Sequence, residues 1–173
     1  ETFPNYPFLG LAEPSVHGVE VSGGGMGHGL PVAVGIAIGK KRAGEKGTVY
    51  CIMSAGEMQE GTTWESAGVA NQQDLYNLAV FIDVNKWCAM GRTEDVWNPE
   101  PLEDKWRAFG WIVHRLNGHN HDEIAKCIGG GFAPTVYICD TIKGKGVPFF
   151  EDHLLYHYKQ IDDEEYKKAM QEL

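Results

Sequence analysis

The 173-residue chain carries 15 Lys and Arg against 24 Asp and Glu, a net charge of −9, with 43% hydrophobic and 23% charged residues. That balance fits one well-buried domain and excludes general nucleic-acid binding, which needs clustered cations; the densest group is Lys40-Lys41-Arg42. No apolar run approaches the roughly 20 residues that cross a bilayer, and Cys51, Cys88, Cys127 and Cys139 form no CxxC pair, so they read as reduced thiols of a cytoplasmic protein.

Residues 1–22 contain Pro4, Pro7 and Pro14 and show no sustained periodicity, which predicts an extended arm. Its Phe3, Tyr6 and Phe8 suit an interface, or a cap on the domain's own sheet. Residues 27–42 are apolar nearly all round and follow a glycine run, so a buried helix is expected there. Residues 48–53 and 78–83 are short β-branched and apolar runs that read as central strands, with a helix over 62–75 between them. Further strands are expected at 111–116 and 135–139, with helices at 102–109 and 122–128 and a charged surface helix over 162–173. The alternation gives an α/β fold, a mostly parallel sheet flanked by helices. Residues 23–150 form its main body and 151–173 its tail. Ligands in such sheets bind beyond the carboxyl ends of the strands.

The glycine run before the first helix and the loops at those ends carry the candidate chemistry. Gly23-Gly24-Gly25-Met26-Gly27-His28-Gly29 leads into a helix and can cradle a phosphate, or it can be a turn that lets the helix pack closely. Ser54-Ala55-Gly56-Glu57 offers small residues where backbone can approach a ligand, and Glu60 and Glu65 follow where acids ordinarily serve a helix dipole. Asp83-Val84-Asn85-Lys86 presents oxygens for a hard cation, or is a plain strand-to-loop turn. Thr141-Ile142-Lys143-Gly144-Lys145-Gly146 places two Lys on a glycine-hinged loop suited to a phosphate, to a lid or to solvent. His28 and His157 can face a site, whereas His119 and His121 lack a third zinc ligand and read as a helix-start turn.

In this order, GGMGHGL, GEMQEGTTWE, NLAVFIDVNK, EDKWRAFGW and PTVYICDTIKGKG resemble the thiamine-diphosphate-binding half of transketolases. The likeness runs from about Gly18 to the C-terminus and is strongest to the first chain of transketolases split between two polypeptides. It implies a thiamine-diphosphate-binding fold with Mg²⁺, in which Gly24, Gly25, Gly27 and His28 lie beside the diphosphate and Gly56 and Glu57 end the corner. It also implies Asn85 and the Trp87 backbone carbonyl as metal ligands, Glu60 and Glu65 as acids facing the partner, and Lys143 and His157 near the diphosphate and substrate entrance. His28, Glu60, Glu65 and His157 are the catalytic candidates.

Two departures qualify the resemblance. The family corner reads Gly-Asp-Gly, and here Ala55 replaces the metal carboxylate, which predicts a weakened or atypical Mg²⁺ site. Ser54, Glu57 or the ligand itself are the open compensations. The family's amino-terminal Ser-Gly-His-Pro segment has no copy in this sequence, so the resemblance does not extend to the histidine it supplies for ordinary sugar phosphates. The implied activity is transfer of a two-carbon ketol unit from a sugar or keto substrate to an aldehyde. A separate pyrimidine-binding, C-terminal transketolase subunit would complete a heterotetramer. The alternatives are a non-catalytic or regulatory paralogue, and a thiamine-diphosphate enzyme with changed chemistry such as decarboxylation or acyloin formation.

Overall fold

The computed structural model of the chain describes residues 14–21, 23–129 and 131–172. Phe3, Tyr6 and Phe8 of the expected arm lie outside the described residues, and residues 14–18 form turns and a bend. Helix α1, Gly29–Ala43, starts two residues later than its apolar pattern begins, because Gly27 adopts a left-handed φ of 76° that a helix cannot contain. Gly44, also left-handed, closes the helix by donating to the Lys40 and Lys41 carbonyls, and the basic last turn complements the helix dipole.

Strand β1, Val49–Ser54, runs into a 3₁₀ turn over Ala55–Gln59 and then helix α2, Gly61–Gln72. Strand β2, Leu78–Val84, is followed by a small hairpin of β3, Trp87–Cys88, and β4, Gly91–Arg92, and by the single helical turn α3, Thr93–Val96. Helix α4, Leu102–Ala108, strand β5, Ile112–Asn117, helix α5, His121–Lys126, and strand β6, Thr135–Asp140, complete the body. A second 3₁₀ turn, Leu154–His157, precedes helix α6, Asp163–Glu172. The main sheet has the order β1-β2-β6-β5 with all pairs parallel. Every one of its strands therefore ends at the same edge, and the loops that could carry chemistry gather there.

The core lies on one face of the sheet. Cys51 and Met53, Val80 and Ile82, and Val136 and Ile138 point toward Leu30 and Ala37 of α1, Ala67 of α2 and Trp106 of α4. Fully buried Trp106 packs between Trp64, tilted against it, and Trp111, edge-on to it, with ring centroids 5.4 and 4.8 Å away. The other face differs from expectation. Among the described residues β1 is an edge strand, and Ile52 is 82% exposed beside a stacked row of Phe81, Tyr137 and His114. An apolar run marks a strand suited to burial on both faces, but it does not say whether both are covered. Similarly α1 buries Leu30, Ala33, Val34 and Ala37 while Val32 stays exposed. Among the described residues no helix is long and apolar enough to cross a membrane.

Candidate cofactor site

The glycine loop is fastened to the β1 corner by one carboxylate. Glu57 accepts the Ser54 N–H through Oε1 at 3.2 Å and the Gly27 N–H through Oε2 at 3.1 Å. The Thr62 hydroxyl donates to the Gly27 carbonyl at 2.8 Å, so both backbone groups of Gly27 are held. A Cβ at Gly27 would lie 2.5 Å from Thr62 Oγ1 and 2.7 Å from Glu60 Cβ, which leaves no room for a side chain. A Cβ at Gly56 would lie 3.8 Å from both Met26 Sδ and Cys88 Cβ, so loop, corner and hairpin converge. His28 folds back over Gly25, where its Cδ2 would lie 2.9 Å from an added Cβ. Ala55 is buried, 3% exposed, beside buried Gly56 and Met58.

A second network spans the ends of β2 and β6. Asp83 accepts from Asn85 Nδ2 at 2.7 Å and from the Thr141 hydroxyl on its other oxygen. Asn85 Oδ1 in turn accepts the Trp87 N–H at 2.9 Å. A pocket of about 790 Å³ opens above these groups, lined among others by Asp83, Asn85, His119, His121, Lys143 and Lys145. His119 Nε2 accepts the Ile142 N–H at 2.8 Å, which pins the Lys loop to the end of β5. An apolar groove of about 370 Å³ adjoins it on the open sheet face, between Tyr50, Ile52, Phe81 and Ile128, with Asp83, Gly118 and Thr141 common to both.

The Lys loop is also fixed from behind. Glu151 accepts the Gly146 N–H at 3.1 Å and stands 3.4 Å from Lys145 Nζ; the backbone N–H, then the ammonium, hold its carboxyl below the ordinary range. Asp152 donates its own N–H to the Lys143 carbonyl at 2.9 Å. Its carboxylate takes both Arg92 amino groups, at 2.8 and 2.5 Å, and Trp87 Nε1 at 2.8 Å, while the guanidinium lies 4.1 Å over the Trp87 ring. Arg92 first, and Trp87 second, lower the Asp152 pKa. Asp152 therefore staples the loop after β2 to the loop after β6.

The expected residues are not all gathered. Asn85 and Lys143 share the pocket. Gly25, Gly27, His28, Gly56, Glu57 and half-buried Glu60 belong to the adjoining loop-and-corner joint. Gly24 is exposed in the same loop, Glu65 is exposed on α2, and His157 is exposed against Tyr158, its ring centroid 4.9 Å away. His119 and His121 do flank a helix start, where Asn120 caps α5, yet both also line the pocket. Spacing alone could not show this, because β5 and β6 become neighbours only in the sheet.

The transketolase thiamine diphosphate binding domain matches residues 9–173. The chain belongs to the transketolase family. It is 40% identical over 159 residues to one of the subunits of the apulose-4-phosphate transketolase of Actinobacillus succinogenes, covering 90% of this chain and 58% of the relative. It is 39% identical over 160 residues to the SqwG subunit of the 6-deoxy-6-sulfo-D-fructose transketolase of a Clostridium species, with the same coverage of 90% and 58%. The crystal structure of Campylobacter jejuni transketolase superimposes with a TM-score of 0.82 at 27% identity, covering 91% of this chain and 26% of that one. The chain thus spans less than two thirds of the length of the curated relatives it matches.

In this transketolase-family chain the pocket at the strand ends presents Lys143 and Lys145, a lining whose chemistry fits an anionic group such as a diphosphate. A resident Mg²⁺ fits poorly. It needs near-octahedral oxygens, normally with one or two carboxylates. Ala55 offers a methyl group, Glu57 holds two backbone N–H groups, and the Asn85 amide turns its nitrogen, not its oxygen, toward Asp83. No cluster of three His, Cys, Asp or Glu able to hold a metal exists among the described residues.

Proposed function

We propose that the chain is the thiamine-diphosphate-binding part of a transketolase that moves a two-carbon ketol unit from a ketose or related keto compound to an aldehyde. A separate chain contributes the pyrimidine-binding domain, and the two assemble as a heterotetramer in the cytoplasm. The observation that carries this reading is the match to the transketolase domain over residues 9–173, together with a pocket at the strand ends lined by Asn85 and Lys143. Split relatives named as transketolase subunits support the two-chain arrangement. Four free cysteines support a reducing compartment.

Bound thiamine diphosphate supplies the electron sink for breaking and remaking the carbon–carbon bond. This chain's own groups orient it. Lys143 meets the diphosphate, the joint of Gly25, Gly27, Gly56 and Glu57 sets the neighbouring wall, and Glu60 and Glu65 present carboxylates toward the partner. His28 and His157 stand toward the substrate entrance. Any Mg²⁺ would have only Asn85 and the Trp87 carbonyl, which makes its binding weak.

Ala55 favours a second reading, a paralogue that keeps the assembly surface without catalysis. Changed chemistry on the same cofactor, decarboxylation or acyloin formation, is the third. Purified full-length protein mixed with its candidate partner chain separates them. Thiamine-diphosphate-dependent ketol transfer seen only with both chains supports the proposal. Cofactor binding without transfer supports changed chemistry, and no cofactor binding supports the paralogue.

A further inference from the structure

Building on the transketolase reading above, we propose that the pocket binds the diphosphate group without a divalent cation, with Lys143 as the principal counter-charge. The side chains near the corner that could offer oxygens to a cation are turned elsewhere, the Ser54 hydroxyl among them, which joins a capping box with Glu57. The two oxygens of Glu57 take the Ser54 and Gly27 N–H groups, and withdrawing them would release the glycine loop from the corner. Asp83 lies beside the corner in the sheet, its Cα paired in register with that of Ser54. It faces the donor end of the Asn85 amide at 2.7 Å, while the amide oxygen faces the Trp87 N–H at 2.9 Å. With the amide in this orientation its oxygen is engaged by the Trp87 N–H, and turning it over to set the oxygen beside Asp83 breaks both bonds and places two donors, Nδ2 and the Trp87 N–H, against each other. Ala55, 3% exposed, contributes no oxygen.

The positive side of the pocket is, by contrast, already built. Lys143 and Lys145 both line it. Lys145 stands 3.4 Å from Glu151, whereas Lys143 is half-buried and has no carboxylate at ion-pair distance among the described residues. The backbone around Lys143 is fixed on both sides. The Lys143 carbonyl accepts from Asp152, the Ile142 N–H is held by His119, and Gly144 has a left-handed φ of 72° with the Phe150 carbonyl only 2.7 Å from where a Cβ would lie. A lysine carried on a fixed backbone loses less freedom on binding an anion than one on a loose loop. It provides as a point charge what a metal would otherwise provide.

The test is isothermal calorimetry of the full-length protein with its partner chain, titrated with thiamine diphosphate and separately with inorganic pyrophosphate. Each titration is run in excess chelator and in excess Mg²⁺. The expected result is that both ligands bind in chelator, with thiamine diphosphate affinity within about threefold of that in Mg²⁺, and that Lys143→Ala weakens both by about tenfold or more while Lys143→Arg largely retains binding. Ala55→Asp is expected to make binding rise with Mg²⁺. Binding of the unmodified protein seen only with Mg²⁺ overturns the metal-free site and leaves the transketolase reading standing. Binding in chelator that is unchanged in a folded Lys143→Ala variant overturns the role of Lys143. Failure of thiamine diphosphate to bind in either condition overturns this inference and the proposed function together.

Discussion

Glu57 shows how one side chain can decide a local structure. Its two oxygens join the Ser54 and Gly27 N–H groups, which lie on segments about thirty residues apart. Glu57→Gln keeps the size but replaces one acceptor with a donor that faces an N–H. It is expected to cost about 1–3 kcal/mol in chemical denaturation. Gly27→Ala adds a methyl group at a φ of 76° and 2.5 Å from Thr62 Oγ1. About 1–3 kcal/mol of strain is expected, and an unchanged midpoint would show that the loop is not anchored there. Cys51 illustrates burial acting on chemistry: desolvation, then the nearby Glu57 charge, push its pKa up to about 12. Its thiolate is scarce at neutral pH, so iodoacetamide followed by mass spectrometry should find Cys51 unmodified in the native protein.

At the scale of elements, the hairpin of β3 and β4 and the Lys loop are coupled through Asp152. The Asp152 pKa is depressed below 3.8 mainly by Arg92, so the clamp is complete above that value and is lost as the pH falls through the lower folded value. Acid titration followed by tryptophan fluorescence should therefore show a change below about pH 4 that Trp87→Phe removes. Asp152→Asn should loosen the same contact at neutral pH and weaken diphosphate binding. The pair is partly exposed, with side chains 31% and 49% accessible, so salt will soften the effect. Binding that is indifferent to both the substitution and salt would mean that the two loops are held in place without the clamp.

Across the whole molecule the sheet is asymmetric. One face carries a dry core centred on Trp106, which is fully buried with Trp64 and Trp111 against it. Trp106→Ala is expected to cost about 3–5 kcal/mol in denaturation. The opposite face leaves Ile52 82% exposed, so Ile52→Ala should cost far less in this chain. An equal loss at both positions would show that the open face is covered when the whole protein folds. That face adjoins the pocket through Asp83, Gly118 and Thr141, so whatever covers it also walls that pocket.

The alternation of apolar runs and helical stretches determined the α/β class, the parallel sheet and the strand ends as the place for a ligand, because side-chain periodicity is set locally by backbone geometry. Most strand and helix bounds shifted by only a residue or two. Gly27 moved the start of α1 through a φ that its glycine identity permits but does not require. The motif order was likewise legible, since it needs no contacts. What only tertiary structure decided were the long-range partners: Glu57 with Gly27, Asp83 with Thr141, Asp152 with Arg92 and Trp87, and His119 with Ile142. Each joins segments far apart in sequence through groups that occur commonly on any surface. The loss of a carboxylate at Ala55 could be read from one letter, but that Glu57 and Asp83 are turned to other donors could not, because a hydrogen-bond partner is a property of the fold.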